Sequence, residues 1–309
     1  MTTTLDPLST ALIRPVSAPC QTGESPFWHP EEQVLYWVDI PARCVHRLDP
    51  VSGASRRWDF EAEVSACAPL LGGGLLLAMR DGLWRFDAGH FRLHRVAAPP
   101  YDPAQLRFND GKADAAGRFW VGTIHDAREQ KASLYCFDRR LGRHAMGERA
   151  QGLANVNGLA WSPDAGTMYW ADTKAHTVYA ADHDPATGEL SNRRRFHAFA
   201  PRDPAAPLEA YGGRPDGAAV DSEGCYWVAM YEGAQLVRLS PGGDVLDRLP
   251  LPVRCPTMPC FGGHDLRTLY VTTASAHRPV QELAQMPLSG CVLSLSVPVA
   301  GLPVNYAVL

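Results

Sequence analysis

The chain has 309 residues, and its 29 Lys and Arg are outnumbered by 33 Asp and Glu, so it lacks the basic face that nucleic-acid binding demands. No stretch approaches the ~18 apolar residues of a membrane span and the amino terminus has no basic segment leading into an apolar run; the expectation is a cytoplasmic protein with neither partner. Its eight cysteines are dispersed rather than clustered as in a disulfide scaffold, and Cys255 with Cys260 lacks the second pair of a zinc site.

In chain order, apolar and aromatic runs at 34–38 and 75–79, around Trp120, at Tyr169 with Trp170, at Tyr226 with Trp227, and at 268–272 occupy equivalent places in successive stretches. Each is followed by a second β-rich run, at 45–49, 83–87, 134–138, 178–182, 236–240 and 291–295. Strand pairs recurring every ~40–55 residues are the signature of propeller blades. Turn sequences such as Asp49-Pro50-Val51-Ser52-Gly53 and Asp184-Pro185-Ala186-Thr187-Gly188 close these runs. No long segment carries an apolar stripe at helical spacing. The predicted fold is all-β: one six-bladed β-propeller domain over 1–309, with 1–15 as a flexible amino terminus. Trp37, Trp120, Trp170 and Trp227 are expected in the core, and Arg193-Arg194-Arg195 on a solvated edge beside a turn.

A propeller leaves a central channel lined by its innermost strands. Asn109 with Asp110, Asn157 and Asp216 each stand just ahead of such a strand, and Glu24 matches them in the first unit. Taken singly, Asn-Gly and Asp-Gly are common turn dipeptides. Together, in register, they predict oxygen ligands for one hard divalent ion at the channel mouth, with open positions left for water and substrate. Ca²⁺, Mg²⁺ and Mn²⁺ suit such ligands, and Zn²⁺ and Fe²⁺ are permitted. Arg107 adds a guanidinium to the same rim, as either a surface ion-pair partner or a ligand-facing donor.

Gly-Glu-Ser-Pro at 23–26, Val-Asp-Ile at 38–40, Arg-Phe-Asn-Asp-Gly-Lys at 107–112, Asn-Gly-Leu at 157–159, Pro-Asp-Gly at 215–217 and Cys-Phe-Gly-Gly at 260–263 resemble the regucalcin (SMP-30)/gluconolactonase family over about 23–303. The resemblance implies a divalent metal on the channel axis held by Glu24, Asn157 and Asp216. It implies substrate contacts from Arg107 and Asn109, with Asp216 also the general base. The implied activity is hydrolysis of a sugar-acid lactone to the open-chain acid, with a small-molecule lactone as partner and a monomer or homodimer as the assembly. The loop Gly122-Thr123-Ile124-His125-Asp126 is more similar to bacterial pentonolactonases than to animal members, which carry acidic residues there. The competing readings are a metal-dependent arylesterase or phosphotriesterase and a non-catalytic calcium-binding propeller. Gly-x-Ser-x-Gly is absent, which argues against a serine hydrolase.

Overall fold

The computed structural model describes residues 13–309, apart from the side chains of Arg143 and His144. The expected flexible amino terminus therefore falls mostly on 1–12, outside the described residues. Short alternating apolar runs separated by Gly- and Pro-rich turns cannot make long helices, and the described residues form 24 strands in six four-stranded antiparallel sheets. The first strand, β1 (Arg14–Pro15), belongs to the last sheet. Blade 1 holds β2 (Gly23–His29), β3 (Val34–Asp39), β4 (Cys44–Leu48) and β5 (Ser55–Asp59). Blade 2 holds β6 (Val64–Pro69), β7 (Leu75–Met79), β8 (Gly82–Asp87) and β9 (Arg92–Ala97). Blade 3 follows with β10 (Leu106–Ala113), β11 (Phe119–His125), β12 (Ala132–Phe137) and β13 (Met146–Leu153). Blade 4 runs through β14 (Val156–Trp161), β15 (Thr167–Asp172), β16 (Thr177–His183) and β17 (Leu190–Ala198). Blade 5 has β18 (Arg214–Val220), β19 (Tyr226–Tyr231), β20 (Gln235–Leu239) and β21 (Val245–Pro250). Blade 6 takes β22 (Pro256–Gly262), β23 (Thr268–Thr273) and β24 (Leu293–Ser296) from the carboxy-terminal end. Its outermost strand is β1, with Arg14 opposite Ser294 and Pro15 opposite Leu293.

The innermost strands β2, β6, β10, β14, β18 and β22 touch their neighbours around a ring. The core is accordingly divided among the interfaces between adjacent blades. Trp58, Phe60 and Phe86 fill the layer between blades 1 and 2, while Trp227, Phe261 and Leu293 fill that between blades 5 and 6. Trp37, Trp120, Trp170 and Trp227 are all buried, as the sequence predicts. Two of them are tied by buried carboxylates. Asp114 accepts from the indole of Trp120 at 2.8 Å and pairs with Arg118 at 2.6 Å. Asp221 does the same for Trp227 at 2.8 Å and pairs with Arg238 at 2.7 Å. A buried ion pair of this kind is secure only while both partners remain.

One end of the channel is covered. The carboxy-terminal segment crosses it, with Ala307 bonded to the backbone of Pro69 and Leu71, Val308 N to Gly117 O, and the Tyr306 ring edge-on to His29. The triplet Arg193–Arg195 lies on the exposed outermost strand β17, the solvated edge that follows the turn at 184–188, where Arg193 stacks 4.2 Å over the ring of Tyr179.

Candidate active site

At the open end of the channel, every innermost strand breaks its register with β3, β7, β11, β15, β19 or β23. Asn109, Asn157 and Asp216 therefore lie inside strands, at bulges, and not in the turns that their Asn-Gly and Asp-Gly neighbours imply. The two settings share a requirement: a bulge, like a turn, uses residues that tolerate positive φ. Gly158 has φ +63°, and a side chain there would also collide with the Tyr226 hydroxyl and the Asp216 carbonyl. Ser25 adopts φ +49° although it is not glycine, and its hydroxyl accepts from Cys67 N at 3.0 Å. That conformation sets Glu24 at the channel mouth.

The loops entering these strands are also clamped. Asp39 accepts from Gln21 N at 2.8 Å and Thr22 N at 3.1 Å, just ahead of Glu24. Asp172 accepts from Ala154 N at 3.2 Å and Asn155 N at 3.3 Å, just ahead of Asn157. Bulge and clamp together fix the backbone that carries each candidate ligand, the preorganisation that a metal or catalytic site requires.

Glu24, Asn157, Asp216, Arg107 and Asn109 all line one cavity of about 620 Å³ at this mouth. Asn109 is the central tie. Its amide nitrogen donates to Asn155 Oδ1 at 2.9 Å, Val156 O at 3.0 Å and Asn157 Oδ1 at 2.6 Å, while its oxygen accepts from Arg107 at 2.9 Å. Asn157 donates in turn to Thr173 Oγ1 at 2.7 Å. The Asn157 amide is thereby oriented, and its oxygen keeps a second lone pair.

Burial raises the Glu24 carboxyl well above the usual range, with repulsion from Asp216 and Asp110 adding to it. Asp216 is pushed up to about 8, chiefly by burial, against the pull of Arg214. Asp216 accepts no side-chain hydrogen bond from any described residue, and the only one to Glu24 comes from its neighbour Ser25 N at 3.2 Å. Two buried carboxylates that repel one another, beside an oriented amide oxygen, form a donor set short of one cation. Among the described residues no three His, Cys, Asp or Glu side chains cluster as ligands. An ion here would rest on two carboxylates and one amide, with its other positions free for water and substrate.

Arg107 is half-buried, and burial draws it down to about 10. One of its nitrogens donates to Phe108 O at 2.8 Å, Asn109 Oδ1 at 2.9 Å and Ser65 Oγ at 3.3 Å. Of the two alternatives, the structure gives it no acidic partner within ion-pair distance among the described residues and places it in the cavity wall. Asp110 does not line this cavity: Oδ2 accepts from Leu159 N at 2.9 Å and Oδ1 is buried without a hydrogen-bond partner among the described residues, near the half-buried Lys112.

Residues 22–275 match the family described as the SMP-30/gluconolactonase/LRE-like region. The chain belongs to that family. It is 42% identical over 290 residues to the 6-deoxy-6-sulfogluconolactonase of Pseudomonas putida, covering 93% of this chain and 94% of the relative. It is 33% identical to human regucalcin over 298 residues, 93% and 95% of the two chains. Among solved structures, a calcium-binding regucalcin from Agrobacterium tumefaciens superimposes with a TM-score of 0.88 at 26% identity, covering 96% and 97% of the chains. The expected family and its six-bladed fold are thus both found.

Sequence reasoning passed over several residues of this family member's site. Asn155 and Thr173 brace the amides, and Arg80, Arg128, Lys174, Arg214, Glu63, His176 and Tyr231 complete the walls. They come from loops that meet only in the folded ring; Asn155, two residues before Asn157, was the one with a local signal. Asp126 is neutralised by Arg80, at 3.0 and 3.2 Å, and Arg80 also holds Glu63 at 2.5 Å. His125 is buried outside the cavity lining, with no hydrogen-bond partner for either ring nitrogen among the described residues.

Proposed function

We propose that this chain hydrolyses the intramolecular ester of a sugar-acid lactone with the help of one divalent ion held by Glu24, Asn157 and Asp216. The observation that carries the reading is the pairing of two buried, mutually repelling carboxylates with an oriented amide oxygen on the floor of a polar cavity. The lactonase name of the Pseudomonas putida relative supports the substrate class, and the calcium-binding description of the Agrobacterium regucalcin supports a divalent ion.

When bound, such an ion supplies Lewis-acid polarisation of a carbonyl and eases deprotonation of water. The chain supplies the rest. Arg107, fixed through one nitrogen, keeps N–H groups toward the cavity for ring hydroxyls, and Asn109 holds both Arg107 and Asn157 in place. Holding the ring in one pose raises the effective concentration of the reacting groups. Asp216, with no described hydrogen-bond donor to satisfy it, accepts the proton of the attacking water and returns it to the leaving ring oxygen.

The test is lactone ring opening followed as acid release, using chelator-stripped protein and a panel of divalent ions. Turnover restored by an ion is the expected result. Tight ion binding without turnover of any aldonolactone refutes the reading.

A further inference from the structure

The charges around the cavity do not balance. Its lining holds five cationic side chains, Arg80, Arg107, Arg128, Lys174 and Arg214, against four acidic ones, Glu24, Glu63, Asp126 and Asp216. With all four carboxylates ionised that is an excess of one positive charge, and the divalent ion that would hold the Glu24–Asp216 pair in its ionised form raises it to three. The excess is unevenly placed. Arg80 is engaged by Glu63 and Asp126, and Arg214 by Glu232 at 3.2 Å. Arg128 and Lys174 have no ionic partner among the described residues.

These two come from neighbouring blades, after β11 and after β15, and the fold holds them together. Lys174 Nζ donates to the backbone carbonyl of Arg128 at 2.9 Å. Arg128 itself sits at φ +59° on a turn closed by its N–H to His125 O at 2.8 Å. Residues other than glycine, Asn and Asp seldom adopt that conformation unless the surroundings impose it. Arg128 and Lys174 both line the cavity that holds Arg107, Asp126 and Asp216. Two cations on one cavity wall, neither held in an ion pair among the described residues, leave a positive potential there that an anion would satisfy.

We propose that Arg128 and Lys174 form an anion subsite, so that the preferred substrate is a sugar lactone carrying a fixed negative charge on its exocyclic carbon. This rests on the lactonase reading of the same cavity. A neutral aldonolactone fills the ring position but leaves the two cations facing water. A sulfonate or a carboxylate at the far end of the sugar meets both, and the guanidinium can bind it through two parallel N–H donors.

The experiment compares kcat/KM of the ion-loaded enzyme on glucono-δ-lactone, on its 6-sulfonate analogue and on a lactone of the corresponding 6-carboxylate, at low salt and in 0.5 M NaCl. The expected result is a preference for one or both charged substrates of about tenfold or more at low salt, shrinking at high salt as screening predicts. The sulfonate and carboxylate arms distinguish the two sources of the charge. Arg128→Gln combined with Lys174→Gln is expected to reduce the charged-to-neutral ratio about tenfold, mostly through KM, and Lys174→Glu to reduce it further. Both side chains are exposed, so these variants should melt with the wild type. Turnover of the neutral lactone with no preference for either charged one, or a ratio unmoved in the variants, overturns the anion subsite alone. Failure of the wild type to open any of the three, with every ion tried, overturns the lactonase reading and the subsite with it.

Discussion

Replacing Asp216 with Asn should stabilise the metal-free protein while removing both its response to divalent ions and its activity. The Asp216 carboxyl, 3.8 in its ordinary setting, is pushed up to about 8 in the fold, chiefly by burial. At pH 7 the folded chain therefore holds a proton that the unfolded chain has released. Each unit of that difference is worth about 1.4 kcal/mol, which sets an upper limit of about 4 kcal/mol on the penalty. Asn carries no such penalty but buries an amide without a partner, costing about 1–3 kcal/mol. The net gain is about 1–3 kcal/mol, or roughly 2–5 °C in Tm for a chain of this size. The pH dependence follows from the sign of the shift. Below about pH 4 both states are protonated and the penalty vanishes; it grows as pH rises and levels off once pH passes about 8. Thermal melts of chelator-stripped wild type and Asp216→Asn from pH 5 to 8.5, with and without added Ca²⁺, Mn²⁺ or Zn²⁺, test this. The variant's advantage should widen with pH, whereas ions should raise the wild-type melt far more than the variant's. A variant that melts below wild type at pH 8, or gains as much from the ions, refutes the argument that the carboxylate pair awaits a cation.

Asn109→Ala leaves Asn155, Val156 and Asn157 without their shared donor, so ion affinity measured by calorimetry should fall about tenfold, as loss of a group that orients a metal ligand typically does. Arg107→Lys keeps the charge but loses the fixed fork; kcat/KM for an aldonolactone should fall about 10–100-fold with the melting temperature nearly unchanged. Asp114→Ala removes the carboxylate that pairs with the buried guanidinium of Arg118 and accepts from the indole of Trp120, and should cost about 3–5 kcal/mol, read as a denaturation midpoint shifted at constant slope. All eight cysteines are free and buried, and burial raises the Cys67 and Cys260 thiols to about 12. A thiol reagent should titrate close to none in the native protein and all eight after denaturation.

The repeat was legible because aromatic strands are long-lived markers: each second strand must fill the same gap between blades, so Trp37, Trp120, Trp170 and Trp227 recur at the blade period. The residues of the channel mouth were legible for a related reason, since Glu24, Asn157 and Asp216 all fall within the first three residues of their inner strands, beside the bulge. Their local setting was misread. Asn-Gly and Asp-Gly report a need for unusual φ, and sequence does not say whether a turn or a bulge creates the need. Arg128 and Lys174 escaped notice because nothing local marks them; their proximity is a product of ring closure. The position of β1 was hidden too, since two residues carry no β pattern, and Arg14–Pro15 fell within a stretch expected to be flexible.

That short strand has a consequence for how the molecule is made. Blades 1 to 5 are each built from consecutive strands, so each can assemble as its own segment of chain leaves the ribosome. Blade 6 cannot, because Arg14 has to wait for Ser294. Joining points so far apart carries the largest loop-closure cost of any pairing in the fold, and until it is met the ring stays open with unpaired strand edges exposed. Folding should therefore end with a slow, late latch, and deleting Arg14 and Pro15 should lower soluble yield more than the few contacts they make in the finished protein would indicate.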